Sequence, residues 1–292
     1  MRIAHLILAH KGPAQLARLL RTLHHPDADC FVHLDAKAPF ADFAFLGKLP
    51  RVFFTRTRLN VKWGGYSLTR VVLEGCREIL AAAPHYDVLN VLSAQDYPLQ
   101  PAAVVHQFFE RHPGQSFLEC APAGSAWWQA NRSRIERYHL TEYAFPGKHR
   151  VQQVLNRLLP RRRFPLPYTL YGGNMGGWYT LSRACAEYLL AFLDQRPRVG
   201  RFARFTWGSD EFLIHTILLN SPHKASIHHD NNLRYIDWSG GGASPRTLGS
   251  PDLARVLAAP KFWARKFDME QDPGMLDALD CARHLVPAGV QA

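Results

Sequence analysis

The chain has 292 residues, 47% hydrophobic and 20% charged, which is enough apolar side chain for a large core and excludes a disordered or fibrous protein. Thirty-five Lys and Arg against 24 Asp and Glu leave a formal charge of +11, which favours anionic partners such as nucleotides, phosphates, a membrane surface or nucleic acid without choosing among them. The five cysteines, at 30, 76, 120, 185 and 281, have no CxxC spacing and exclude a zinc or disulfide framework, and no window approaches roughly 18 uninterrupted apolar residues, which excludes a spanning helix.

Residues 2–9 form a near-continuous apolar run, as in a parallel strand covered on both faces, and read as a strand in preference to a signal peptide. The turn AHKGP follows, and Leu16, Leu19, Leu20 and Leu23 then make one helical face. CFVHL at 30–34 is the next strand and delivers Asp35 to its carboxyl end, where open α/β sheets bind ligands. A third short strand at 51–54 precedes NVKWGGYS at 60–67. There Trp63, Gly64 and Gly65 make either a tight turn or a loop that brings N–H groups to a phosphate or sugar, and Ser67 caps the following helix. DVLNVLS at 87–93 is another buried strand and places Asp96 near Asp35; Pro101 opens a helix, and residues 116–119 read as a further strand. The alternation predicts an α/β fold whose first 120 residues are a Rossmann-like, nucleotide-binding half.

Residues 127–163 interleave arginines with Trp127, Trp128, Tyr138 and Tyr143, a pattern that suits a nucleic-acid stacking platform or a surface excursion over a sugar site. Arg161-Arg162-Arg163 fits a solvated loop, attraction to an anionic membrane, or an acidic acceptor. Glycines 172, 173, 176 and 177 leave open hairpin turns or a ligand-lining segment. In FTWGSDEFLIHTILLNSP at 205–222, Ser209 or Asp210 is the expected N-cap of a helix that is apolar nearly all round. Asp210 and Glu211 then sit in the first turn of a core helix, either both capping it and complementing its dipole, or with Glu211 serving as a general base at the floor of a cleft. His228-His229-Asp230 predicts no metal site, because neighbours on a strand point to opposite faces. Residues 239–243 read as a mobile glycine loop, 252–258 as a short helix and 275–285 as a helix packed on the outside.

Seven motifs stand in one order: LILAHK at 6–11, HLDAK at 33–37, VKWGGYSL at 61–68, LSAQDYPL at 92–99, DEFLIHTILLNSPH at 210–223, DNNLRYIDW at 230–238 and ARKFD at 264–268. In this the chain resembles the core-2/I-branching β-1,6-N-acetylglucosaminyltransferases and peptide O-xylosyltransferases of glycosyltransferase family 14, as a short, bacterial-type member. The resemblance implies a GT-A-like fold in one domain, with a nucleotide-sugar-binding half at 1–120 and an acceptor and catalytic half at 121–292. It implies inverting transfer of N-acetylglucosamine or xylose from a UDP-sugar to a hydroxyl of a glycan or other acceptor, forming a β linkage, with no metal and no cofactor. Glu211 would be the base, and Lys266, Arg265 and Arg246 would neutralise the diphosphate. Asp35, Trp63, Gly64, Gly65 and Asp96 would hold uridine and donor sugar; acceptor contacts would come from Tyr235, Asp237, Trp238 and Arg137. Asp27-Ala28-Asp29 formally matches a metal-binding DxD but precedes a strand and reads as a turn. The setting expected is polysaccharide biosynthesis in the cytoplasm, with peripheral contact at the inner face of an anionic membrane and no nucleic acid. The alternatives are a non-enzymatic polyanion or nucleic-acid binder using residues 127–163, and a sugar-nucleotide binder without catalysis.

Overall fold

The computed structural model of the chain describes residues 1–121 and 124–284. It opens with four parallel strands, β1 (Ile3–Ala9), β2 (Ala28–Leu34), β3 (Val52–Phe54) and β4 (Val88–Ser93), with α1 (Pro13–Thr22) following β1 and α2 (Tyr66–Ala81) following β3. The short β5 (Asp96–Pro98) leaves the sheet, α3 (Ala102–Arg111) follows, and β6 (Ser116–Phe117), β7 (Thr180–Ser182) and β8 (Ile227–His228) extend it to the order β3-β2-β1-β4-β7-β6-β8. Between β6 and β7 lie α4 (Ala126–Glu136) and α5 (Lys148–Leu158); α6 (Arg183–Gln195), α7 (Pro197–Ala203) and α8 (Leu213–Leu219) follow β7. A second sheet, β5-β10-β9, is completed by β9 (Arg234–Ile236) and β10 (Trp263–Arg265), with α9 (Leu253–Leu257) between them and α10 (Pro273–His284) after.

The central strands are apolar on both faces because helices cover both. Ile3 and Ile7 of β1 join the core beneath α1, α3 and α10, while Ala4 and Leu6 join the core beneath α2, α6 and α8. A one-residue slip would exchange the two sets, so burial fixes the register. The parallel order β3-β2-β1-β4 is the Rossmann-like half that the alternation of elements predicts. Its neighbours β7 and β8 come from beyond residue 120 and pair in the same sheet, so the two halves of the chain share one backbone hydrogen-bond network.

Three local expectations are corrected. Gly65, not Ser67, is the N-cap of α2. The N–H of Ser67, which has no partner within the helix, donates instead to Glu142 Oε1 at 2.7 Å, so a carboxylate 75 residues away in sequence does the capping. Asp29 lies within β2, at the far end from Asp35, and is held by Arg2, Arg51 and the Tyr86 hydroxyl. α10 is not merely external, because Met275, Leu276 and Leu279 are fully buried in the core; Leu285 lies outside the described residues. Among the described residues, no helix is long and apolar enough to cross a membrane, and the five cysteines are free thiols.

Candidate active site

A cavity of about 640 Å³ opens at the carboxyl ends of β1, β2 and β4, where His10, Asp35 and Ser93 reach its wall. The turn carrying Asp210 and Glu211 also lines it, as do Ala243, Ser244 and Pro245, together with Arg265 at the end of β10 and Lys266 just beyond it. Glu211 and Lys266 therefore face the same space.

The acidic turn is not the start of an α-helix. Ser209–Glu211 is a single 3-10 turn, Phe212 breaks the helical path at φ −141°, and α8 begins at Leu213. No side chain caps it: the Ser209 hydroxyl is spent on the Thr69 hydroxyl at 2.8 Å, inside the core. The turn rests on the glycine-rich segment, whose Gly173 N–H donates to the Glu211 carbonyl at 3.0 Å. A Cβ on Gly176 would lie 2.5 Å from that carbonyl oxygen, so only glycine permits the approach. Asn174, Gly177 and Trp178 of the same segment line the cavity, which makes it a lining segment as well as a pair of turns.

Among the described residues Glu211 has one cationic partner, Arg134 of α4, with Nη1 2.5 Å from Oε2. The Arg134 guanidinium lies over the Trp207 indole, 4.0 Å from the ring centroid, and Trp63 meets Trp207 edge-on at 5.2 Å. Gly64, at φ +68°, presses so closely on Trp207 that a Cβ would meet the indole at 2.7 Å, and its carbonyl accepts from Gly208 N–H at 2.7 Å. The sequence motif around Trp63 thus fixes the acidic turn through an indole and a backbone bond.

Burial raises the Glu211 carboxyl above its ordinary range, with Arg134 pulling the other way and losing. Asp210, with no side-chain hydrogen bond to it among the described residues, is pushed up to about 7, first by burial and then by the adjacent Glu211 charge. Lys266 is held below its usual value by burial and by Arg265. Its amine reaches the Ser244 hydroxyl at 3.3 Å. The Arg265 guanidinium packs 3.8 Å from the centroid of the Trp178 ring, and its nearest carboxylate oxygen, Asp96 Oδ1, is 3.5 Å away.

Of the residues singled out in the sequence, Asp35, Trp63, Glu211, Trp238, Arg265 and Lys266 line the cavity. Asp35 accepts from the Lys37 and Val61 N–H groups at 2.8 and 3.2 Å, which fixes the carboxylate at the mouth of β2. The others stand off the wall. Gly64 and Gly65 serve packing against Trp207 and Glu142, and Asp96 is buried behind Arg265, accepting from Ser93 N–H at 3.0 Å. Tyr235 points away from its neighbours Arg234 and Ile236 on β9, into the core side. Arg137 is the exposed C-cap of α4. Arg246 is held between Asp237 and Asp252 at 2.9 and 2.5 Å, and Arg255 bridges the same two carboxylates, so neither Asp237 nor Arg246 is directed at the cavity. Two carboxylates engage the Nε and Nη2 of a guanidinium that the sequence offers to a diphosphate.

Sequence reasoning passed over Arg134 in favour of Arg137. The available signal was the seven-residue spacing from Trp127 to Arg134, which puts both on one face of α4, where the Arg134 guanidinium lies 5.9 Å from the Trp127 ring. The basic-aromatic stretch is not a continuous platform. Trp128 is buried, and the Arg162 side chain turns inward to the Phe205 and Arg137 carbonyls at 2.6 and 3.1 Å. Among the described residues, no cluster of three His, Cys, Asp or Glu side chains is arranged to hold a metal; His228 bonds Gln115 and stacks on Phe117.

A cavity at the carboxyl ends of parallel strands, lined by a half-buried carboxylate and by an adjacent Arg and Lys, offers cations to an anionic group and a carboxylate to a proton donor. A Core-2/I-Branching enzyme family model matches residues 3–257, and the chain belongs to that family of glycosyltransferases. Human xylosyltransferase 1 is 26% identical over 96% of this chain and 30% of its own length; mouse xylosyltransferase 2 is 27% identical over 96% and 33%. The chain thus spans about a third of the length of these curated relatives. The apo crystal structure of mouse xyloside xylosyltransferase 1 aligns with 90% of this chain and 97% of its own, at a TM-score of 0.40 and 12% identity.

The strained acid pair carries a stability signature. Folding raises the Asp210 carboxyl from 3.8 to about 7, so the folded chain retains a proton that the unfolded chain releases, and stability falls as pH rises through that window. Asp210→Asn is expected to raise the thermal midpoint near about pH 8 and to match the parent near about pH 4. A gain of equal size at both pH values in differential scanning fluorimetry would show that charge is not the source of the strain.

Proposed function

We propose that the chain is an inverting glycosyltransferase that moves a sugar from a UDP-sugar to a hydroxyl without a catalytic metal. The observation that carries this reading is the shared cavity, which Glu211, Arg265 and Lys266 all line. The acceptor hydroxyl loses its proton to Glu211 as its oxygen attacks the anomeric carbon from the face opposite the diphosphate. The bond to the diphosphate oxygen breaks, and Arg265 and Lys266 offset the charge that develops there. Inversion gives a β linkage from an α-linked donor.

A base with a raised pKa suits this task, since it competes better for the hydroxyl proton at neutral pH. Arg134 keeps the carboxylate of Glu211 oriented and limits the rise. Asp35 and Trp63 are assigned to the nucleotide and donor sugar, and Trp238 to the acceptor side. The xylosyltransferase names of the relatives and the stretch NSPH…DNNLR favour xylose as the sugar, with N-acetylglucosamine the second candidate; a glycan hydroxyl is the acceptor class.

Glu211→Gln is expected to lower kcat at least about a hundredfold while UDP still binds, measured by turnover and by calorimetric titration. Near-normal turnover would remove Glu211 from the mechanism. Lys266→Ala is expected to weaken UDP binding roughly tenfold to a hundredfold, the scale of one charge-assisted hydrogen bond; an unchanged titration contradicts its assignment. Excess EDTA is expected to leave turnover intact, and strict dependence on added Mn²⁺ would overturn charge neutralisation by Arg265 and Lys266.

A further inference from the structure

The helix α5 is amphipathic the wrong way round for a protein surface. Gln152 and Asn156, one turn apart, tie it to the body by polar bonds: the Gln152 carbonyl accepts from Leu140 N–H at 2.8 Å, and Asn156 bonds both the N–H and the carbonyl of Tyr138 at 2.7 and 2.8 Å. The apolar stripe of Val151, Val154, Leu155 and Leu158, at i, i+3, i+4 and i+7, points elsewhere, and α5 contributes no buried residue at all. Val154 is 53% exposed and Leu158 is 74% exposed. A surface helix normally turns such a stripe to the core.

The charges around the stripe are of one sign. By helical spacing Lys148 flanks it on one edge, with Arg150 and Arg157 on the other, and Arg161 and Arg163 follow in the exposed chain beyond. No acidic residue occurs between Glu142 and Glu187. Glu142 is occupied by Ser67, and Glu136 by Arg132 and Arg161. An apolar stripe edged by Lys and Arg, whose stems lie along apolar surface while their heads stay in water, matches the boundary between acyl chains and anionic headgroups.

We propose that α5 is an interfacial helix that seats the protein on an anionic membrane surface, Val151, Val154 and Leu158 entering the acyl boundary and the flanking Lys and Arg contacting lipid phosphates. Charge complementarity selects a lipid surface with negative headgroups over a second copy of this basic chain, because apposing two such faces would bring like charges together. α5 hangs from the segment that follows α4, and α4 carries Arg134 to Glu211. The seat therefore lies next to the element that shapes one wall of the cavity.

The test is co-sedimentation of the full chain with vesicles of phosphatidylcholine alone and with equal parts of phosphatidylcholine and phosphatidylglycerol. Binding to the anionic vesicles only, weakened by added salt, is expected. The paired substitution Val154→Ser with Leu158→Ser, and separately Arg150→Gln with Arg157→Gln, should each reduce that binding roughly tenfold or more. Both pairs lie on exposed positions, so an unchanged thermal midpoint confirms the fold in each. Equal binding to neutral and anionic vesicles overturns the proposal, as does either variant sedimenting like the parent. A dimer in sedimentation velocity that the serine pair dissolves reassigns the face to self-association. Binding of a polyuridylate probe lost in the arginine pair, with no vesicle binding in the parent, reassigns it to a nucleic-acid surface.

Discussion

Two neighbouring carboxylates, Asp210 and Glu211, are held at the edge of the core with one guanidinium paired to Glu211 among the described residues, and much of the molecule answers that constraint. Desolvation and mutual repulsion both oppose ionisation, so the turn needs rigid support on every side. The support is specific: Arg134 on Glu211, Trp207 beneath Arg134, Gly64 against Trp207, and the glycine-rich segment under the carbonyl of Glu211. Ser209 anchors the same turn to α2 through Thr69. A carboxylate held in this way keeps its orientation without a helix dipole, since the turn carrying it precedes α8 and is not part of it.

The positive charge of the chain is divided among different tasks. Arg234 is fully buried and hydrogen-bonds Asn90, Thr180 and backbone carbonyls; burial pushes it down to about 9, and it holds β9 to the main sheet. Arg162 is a strut between the α4 end and α7, and Arg246 is neutralised within a cluster of two aspartates and Arg255. Arg265 and Lys266 line the cavity, Arg134 pairs with Glu211 at it, and the cations of α5 stay in water. The net excess of Lys and Arg thus describes at least three unrelated functions, and composition alone could not separate them.

The strands of the first half were legible because each is a short apolar run bounded by turn residues, and being buried on both faces leaves no alternation to misread. Glu211, Arg265 and Lys266 were legible through motifs whose order marks the family, and they meet in one cavity. Arg137, Arg246, Asp237 and Tyr235 were also singled out, yet they face solvent, each other or the core. The reason is angular in the first case and competitive in the second. Three residues along a helix that ends at Glu136 move a side chain out of the groove, and a guanidinium bonded to both Asp237 and Asp252 is held away from the cavity.

The sequence by itself determined the α/β class, the parallel strand set, the lack of a cysteine framework and the membership of a glycosyltransferase family, because these depend on local periodicity and on motifs read along the chain. Only the tertiary structure decided that Glu142 caps α2, that Arg134 is the partner of Glu211, that the sheet draws strands from both halves, and that α5 shows its apolar stripe to solvent. Each of those depends on which group from a distant segment arrives first at an unsatisfied donor, charge or face. Sequence spacing carries no information about that competition, and packing settles it.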